Sequence, residues 1–171
     1  NGCRVVGFAG TDEKTAWLTE DLGFDAAINY TTTDDYRAAL AEAAPGGVDV
    51  YFDNVGGPIT DAVFTQLALD ARVAVCGQIA HYNDEGVPTG PRKLPGLIPV
   101  RATVQGLLVG DFAARFGEAS ERLGRWVANG ELRHRETVVD GLENAPDAFL
   151  GLFAGDNIGK QVVRVSAADD A

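Results

Sequence analysis

The chain has no methionine, two cysteines and two histidines among 171 residues. Each scarcity removes a class of protein. Cys3 and Cys76 stand far apart in strand-like runs, so no disulfide framework or cysteine cluster is expected. A reducing, cytoplasmic setting is the default. His81 and His134 also lie far apart, with no cysteine or acid at ligand spacing, so no metal site is expected. Basic residues are also scarce. Lys and Arg total 14 against 25 Asp and Glu, a formal charge of −11. Nucleic acid and anionic membrane both demand a positive face, so neither is an expected partner. An anionic cofactor remains possible, because local backbone amides can hold one. No apolar run approaches the roughly 20 residues of a membrane span, and no signal peptide is visible. Several catalytic signatures are missing too: G-x-x-x-x-G-K-[ST], G-x-G-x-x-G and G-x-S-x-G.

What is present is a regular alternation. Residues 3–9, 26–30, 48–52 and 72–76 read as apolar strands. Helical patterns at 12–22, 34–44 and 58–68 separate them, with Thr31 to Asp34 offering caps for the second. This predicts an α/β fold, a doubly wound parallel sheet with helices on both faces. Residues 78–99 then break the pattern with Pro88, Pro91, Pro95 and Pro99. A long loop inside a compact domain is more often functional than idle. A strand at 100–109, a helix at 112–129 bearing Trp126 on its apolar side, a strand at 136–139, a helix at 143–153 and a strand at 160–165 follow. Residues 166–171 read as a frayed acidic tail.

The stretch 48–57, VDVYFDNVGG, carries most information. A buried strand ends in Asp53 and Asn54, then two glycines turn the chain into a helix opened by Pro58. Ligands of open α/β sheets sit at the carboxyl ends of strands, where such side chains project. An ordinary strand-to-helix turn explains the stretch equally well. Gly7 to Gly10 is a partial glycine motif best read as a tight turn. Beyond it, the strand tip Gly10-Thr11 lacks an acid, and Lys14 lies on the first helical turn. An acid would suit a ribose 2′-hydroxyl and a base a 2′-phosphate, so NADP is favoured over NAD. A solvated helix lysine is the plainer reading of Lys14 alone. Asp49, Asp53, Asp61 and Asp84 offer carboxylates, but no spacing selects a pair. Tyr82 is a possible phenol donor, or simply an exposed loop tyrosine.

A series of ordered landmarks points further. These are residues 2–7 (GCRVVG), 10–14 (GTDEK), 22–30 (LGFDAAINY), 48–57, 75–83 (VCGQIAHYN), 90–92 (GPR), 105–106 (QG), 141–146 (GLENAP) and 157–161 (NIGKQ). Together they resemble the zinc-independent medium-chain dehydrogenases/reductases, in the branch of prostaglandin reductases and alkenal double-bond reductases. The resemblance runs nearly end to end. It implies a Rossmann-like dinucleotide-binding fold and an NADP(H)-dependent oxidoreductase. Its substrates would be activated carbon–carbon double bonds in enals, enones and oxo-prostaglandin-like molecules. Hydride would go to the β-carbon and a proton to the α-carbon.

Residue roles follow from the same resemblance. Lys14 and Tyr30 match the residues that hold the adenosine 2′-phosphate. Asn54 lies along the cofactor. Cys76, Gly77, Gln78, Ile79, Ala80, His81 and Tyr82 line the nicotinamide side, and Tyr82 reaches the nicotinamide ribose or the substrate carbonyl. Leu107, Leu108 and Val109 pass the nicotinamide, and Asn157 closes over it. Tyr82 is the expected catalytic residue, because a developing enolate oxygen wants a hydroxyl donor. Residues 78–81 depart from the family pattern, so substrate preference does not carry over.

The resemblance also implies missing parts. Asn1-Gly2 reads as the end of a helix, so the chain is expected to be the carboxyl-terminal part of a longer, homodimeric protein. A substrate domain, a first strand and a pyrophosphate loop would precede it. Residues 1–132 would be a partial dinucleotide-binding domain, and 133–171 would return to the substrate domain. The strands at 3–9 and 48–52 would then lie on either side of an absent strand, unpaired with each other. The alternative is a non-catalytic nucleotide-binding or subunit-contact piece of a quinone-reductase-like protein.

Overall fold

A computed structural model describes residues 2–165. They form two compact units that divide between Ala119 and Ser120.

The first unit alternates strand and helix. Strand β1 (Val6–Ala9) leads through Gly10 into helix α1 (Asp12–Ala16). Thr11 caps α1 by accepting the Lys14 N–H at 3.2 Å, and Asp12 and Glu13 sit in its first turn, where the helix dipole favours acids. The helix widens into a π-helical turn, Trp17–Asp21, closed by the Leu22 N–H on the Trp17 carbonyl. Strand β2 (Ala26–Asn29) returns parallel to β1, pairing Val6 with Ala26 and Ala9 with Asn29. Asp35, one residue beyond the expected caps, opens helix α2 (Tyr36–Ala43) by accepting the Ala38 N–H.

Strand β3 (Val48–Asp53), helix α3 (Gly57–Val63) and strand β4 (Leu67–Val75) follow. The third helix is shorter than the apolar pattern suggests. The Thr65 and Gln66 N–H groups turn back onto the Ala62 and Val63 carbonyls, and the Gln66 carbonyl accepts the Val48 N–H. Those bonds end the helix and start the strand within four residues. Strand β4 begins with a bulge. Val48 faces Leu67, but Val50 faces Arg72, and Asp70 absorbs the excess at φ 59°. Aspartate tolerates that left-handed conformation better than most residues.

The expected strand at 100–109 is largely corrected. Leu97–Val100 forms a single helical turn, α4, in which Pro99 needs no N–H, and Arg101 ends it at φ 52°. Strand β5 (Thr103–Gly106) is all that remains extended, and it pairs parallel to β4. Residues 109–115 form a 3₁₀ stretch, so helix α5 (Phe116–Ala128) starts later than the sequence suggests.

The strand order is β1-β2 in one ladder and β3-β4-β5 in another, all parallel. Strands β1 and β3 are not paired, as anticipated for those two segments. One core nonetheless serves both ladders. Ile28, Leu40, Ala43, Val63, Leu67, Ala71 and Val73 are buried together, with Val6, Phe8, Val48 and Tyr51 packed against them. Burial is one-sided, however. Val50 and Phe52, read as buried, are 70% and 55% exposed, because strand alternation turns them away from α3 and the core. Cys3 and Cys76 lie outside the strands, exposed and free.

In the second unit, strands β6 (Glu136–Asp140) and β7 (Lys160–Arg164) pair in parallel. Helix α6 (Ala145–Ala154) crosses between them, with Pro146 in its first turn, where its missing N–H costs nothing. The Thr137 hydroxyl ties the strands' flank by donating to the Ile158 carbonyl and accepting the Ile158 N–H, both at 3.0 Å. In α5, Arg122 stacks 4.6 Å from the centroid of the half-buried Trp126 ring. The expected acidic tail lies outside the described residues.

Leu40 is 2% exposed at the centre of the shared core. Leu40→Ala is therefore expected to cost about 2–5 kcal/mol of unfolding free energy. Glu42→Ala, on the exposed side of the same helix, should stay within about 0.5 kcal/mol. Chemical denaturation of both variants measures the contrast, and equal costs would refute this placement of the core.

Candidate cofactor-binding site

The sequence-nominated residues of the first unit cluster at strand ends. Gly10 follows β1 and Tyr30 follows β2. A Cβ on Gly10 would meet the Tyr30 hydroxyl at 2.6 Å, so the phenol lies directly over a glycine that leaves room for it. The Tyr30 backbone is fixed by its N–H on the Ala9 carbonyl and by the Tyr36 hydroxyl on its own carbonyl. Lys14 stands half-buried in α1, which opens at this same end. The neighbouring acid Asp12 is tied to the Asn29 side-chain amide at 2.6 Å. An ammonium carried on α1 and a phenol lying over a glycine are donors of the kind that suit a phosphate ester.

The second cluster joins the ends of β3 and β4. The Cys76 and Gly77 N–H groups donate to the Asp53 carbonyl at 2.8 and 3.0 Å. Ile79 and Ala80 N–H groups donate to the Asn54 and Val55 carbonyls. These bonds lay the loop after β4 against the turn after β3. Residues Ile79–His81 form a 3₁₀ turn, and His81 Nδ1 lies 2.8 Å from Asp84 Oδ2. Tyr82 is 65% exposed, and its hydroxyl lies 3.5 Å from where a Gly77 Cβ would be. The phenol is thus brought back to the end of β4. Leu107 follows β5, held by its N–H on the Val75 carbonyl, and Leu108 and Val109 are exposed beyond it. Asn157 belongs to the second unit, where its amide donates to the Gly159 carbonyl at 2.7 Å.

One sequence expectation needs correction here. Asp53, expected to project toward a ligand with Asn54, is fully buried. Its Oδ1 accepts the Val55 and Gly56 N–H groups at 3.0 and 2.8 Å, and the Tyr51 hydroxyl at 3.1 Å. Its Oδ2 accepts the Thr60 hydroxyl at 2.8 Å and Gln78 Nε2 at 2.9 Å. The signal was available: an aspartate two and three residues before free N–H groups is an Asx turn. Gln78, in the loop that the resemblance puts on the nicotinamide side, turns its side-chain amide toward Asp53. Its Nε2 binds Asp53 and its Oε1 abuts Gly56, which at φ 74° has no Cβ to obstruct it.

Burial alone would raise the Asp53 pKa. The bonds from Gly56, Thr60, Val55 and Gln78 outweigh it and hold the carboxyl below its ordinary 3.8. Burial is also the main reason the Tyr51 phenol is pushed up. No group of three or more His, Cys, Asp or Glu side chains among the described residues is arranged to hold a metal. No helix of the described residues is long and apolar enough to cross a membrane.

Parallel strands joined by helices, with glycine turns and polar groups at their carboxyl ends, define a nucleotide-binding α/β protein. Comparison with known proteins narrows the class. Residues 1–125 match the family of zinc-binding dehydrogenases, and the chain belongs to that family, within the zinc-independent branch of medium-chain reductases. A Bacillus subtilis protein described as a candidate NADP-dependent oxidoreductase is 52% identical over 167 residues, covering 96% of this chain and 49% of its own. The NADPH-dependent curcumin reductase of Escherichia coli is 43% identical over 173 residues, covering 98% and 50%. The crystal structure of CurA from Vibrio vulnificus in complex with NADPH superposes with a TM-score of 0.90 at 41% identity, covering 98% and 51%. The chain thus spans about half the length of the relatives it matches. The fold is that of the Rossmann-like domain of these reductases.

Asp53 gives a testable pH dependence. Its folded pKa lies below its unfolded value, so its contribution to stability is complete above 3.8. It is lost as pH falls through the lowered folded value. Asp53→Asn should cost at least about 1 kcal/mol at pH 7. The gap from the unsubstituted protein should hold steady down to pH ~5 and narrow below pH ~4. Urea titrations across that range would measure it, and a gap that widens on acidification would contradict the assignment.

Proposed function

We propose that the protein is an NADPH-dependent reductase of activated carbon–carbon double bonds in enals and enones. The observation that carries this reading is the Tyr82 phenol, folded back to the end of β4 beside Gly77 and the Asn54 turn. Membership of the family and the NADPH-bound Vibrio relative support it. Lys14 and Tyr30 would hold the 2′-phosphate. Asn54, the loop from Cys76 to Tyr82 and the segment from Leu107 to Val109 would flank the nicotinamide. Bound there, the cofactor supplies hydride for the substrate's β-carbon.

This chain's own chemistry concerns the oxygen and the proton. As the double bond takes up hydride, negative charge moves onto the conjugated carbonyl oxygen. The Tyr82 hydroxyl would donate a hydrogen bond to that oxygen, stabilising charge where it develops. The α-carbon would then take up a proton from solvent as the carbonyl re-forms. Exposed Leu108 and Val109 would give the substrate an apolar wall and exclude water from it.

Cofactor preference tests the first half of the reading. The full-length protein should use NADPH with a higher kcat/KM than NADH. Lys14→Ala should reduce kcat/KM for NADPH by roughly 10- to 100-fold, the scale of one charge-assisted hydrogen bond, with little effect on NADH. Equal use of both cofactors, or an unaffected variant, would remove Lys14 from the site.

Turnover tests the second half. Tyr82→Phe should lower kcat on an enone by on the order of 10-fold or more. Unchanged turnover would make Tyr82 an ordinary exposed loop residue.

A further inference from the structure

We propose that Asp53 and Gln78 form a latch that positions the nicotinamide side of the site. Neither acts by touching the cofactor; each acts through the backbone it holds. This rests on the NADPH reading above. The reason lies in where the bonds go. Asp53 is fully buried, so it meets no ligand. One carboxylate oxygen fixes the turn carrying Asn54, through the Val55 and Gly56 N–H groups. The other takes Gln78 Nε2, from the loop carrying Tyr82. Among the described residues, Gln78 supplies the one side-chain bond from that loop to Asp53; the other links are backbone to backbone. Gly56 permits the approach, because any Cβ there would collide with the Gln78 amide. The latch therefore adds a side-chain tie to the backbone bonds that hold together two segments flanking one nicotinamide. A displacement of about 1 Å in such a site can cost up to 100-fold.

The titratable groups around the latch are few. Tyr51 lies on β3 beside Asp53, Cys76 with its free thiol precedes Gln78 by two residues, Tyr82 returns to Gly77, and His81 pairs with Asp84 in the same loop. A carboxylate placed at position 78 would therefore confront Asp53 directly, with like charges raising its pKa. Its protonated form could still donate to Asp53; its ionised form could not.

The experiment uses full-length protein and NADP⁺, with Kd measured by calorimetry between pH 5.5 and 8. Gln78→Met should raise Kd on the order of 10-fold at every pH. Gln78→Glu should bind almost normally at the acid end. Relative to the unsubstituted protein it should weaken on the order of 10-fold or more toward pH 8. The double variant Asp53→Asn with Gln78→Glu reverses donor and acceptor and should regain most of the lost affinity at pH 8. A direct cofactor contact by Gln78 would give no such rescue, and neither would a general loss of packing. Failure of rescue in folded protein, or normal binding by Gln78→Met, would overturn the latch alone. Failure of the unsubstituted protein to bind NADP⁺ would overturn the NADPH reading and the latch together.

Discussion

The buried Asp53 carboxylate is the constraint from which the β3–β4 end of the molecule is built. An ionised group removed from water persists only if its lone pairs are fully engaged. Asp53 meets that condition with two backbone amides, two hydroxyls and a side-chain amide. Each partner is thereby fixed in turn. The two amides shape the glycine turn that leads into α3, whose N-cap, Gly56, has no side chain to offer. Thr60 anchors the first turns of the helix, and Gln78 anchors the neighbouring loop. One charge thus couples a strand, a helix start and a loop, and removing it would leave five donors, the buried Gly56 N–H among them, without their acceptor.

Much of this fold was legible in the sequence because strand and helix periods differ so clearly. The valine-rich runs at β1 and β3, the caps near α1 and α2, and the glycines between them all act locally. The errors came where tertiary bonds overrode local pattern. Residues 64–68 look helical, yet the Gln66 carbonyl is taken by Val48, and a strand begins instead. The strand pattern begins at residue 100, yet Val100 ends a helical turn that Pro95 and Pro99 suit, closed by the Ala102 N–H on the Leu97 carbonyl. Val50 and Phe52 are apolar but uncovered, which composition alone does not reveal.

The site was legible by position rather than by direction. Strand order places residues 53–54, 76–82 and 107–109 at carboxyl ends, so their neighbourhood follows from topology. Which side chain faces outward depends on hydrogen bonds. Asp53 and Asn54 are adjacent and chemically similar, yet one is sealed inside and the other exposed. The difference is that a carboxylate can satisfy two successive amides and further donors together, and an amide side chain cannot.

Net charge and local chemistry pull in opposite directions here, and distance decides between them. A surplus of eleven negative charges repels an anionic cofactor at long range. At physiological ionic strength that repulsion fades over about 8 Å. Within that radius, what counts is the immediate donor set. At the β1–β2 end, Asp12 is engaged by Asn29, and the Tyr30 phenol stands over Gly10. At the β3–β4 end, the carboxylate that would repel a phosphate is buried and saturated with donors. Asp12 and Asp53 are thus each occupied within the protein, which keeps an acidic chain compatible with a negatively charged ligand at these strand ends.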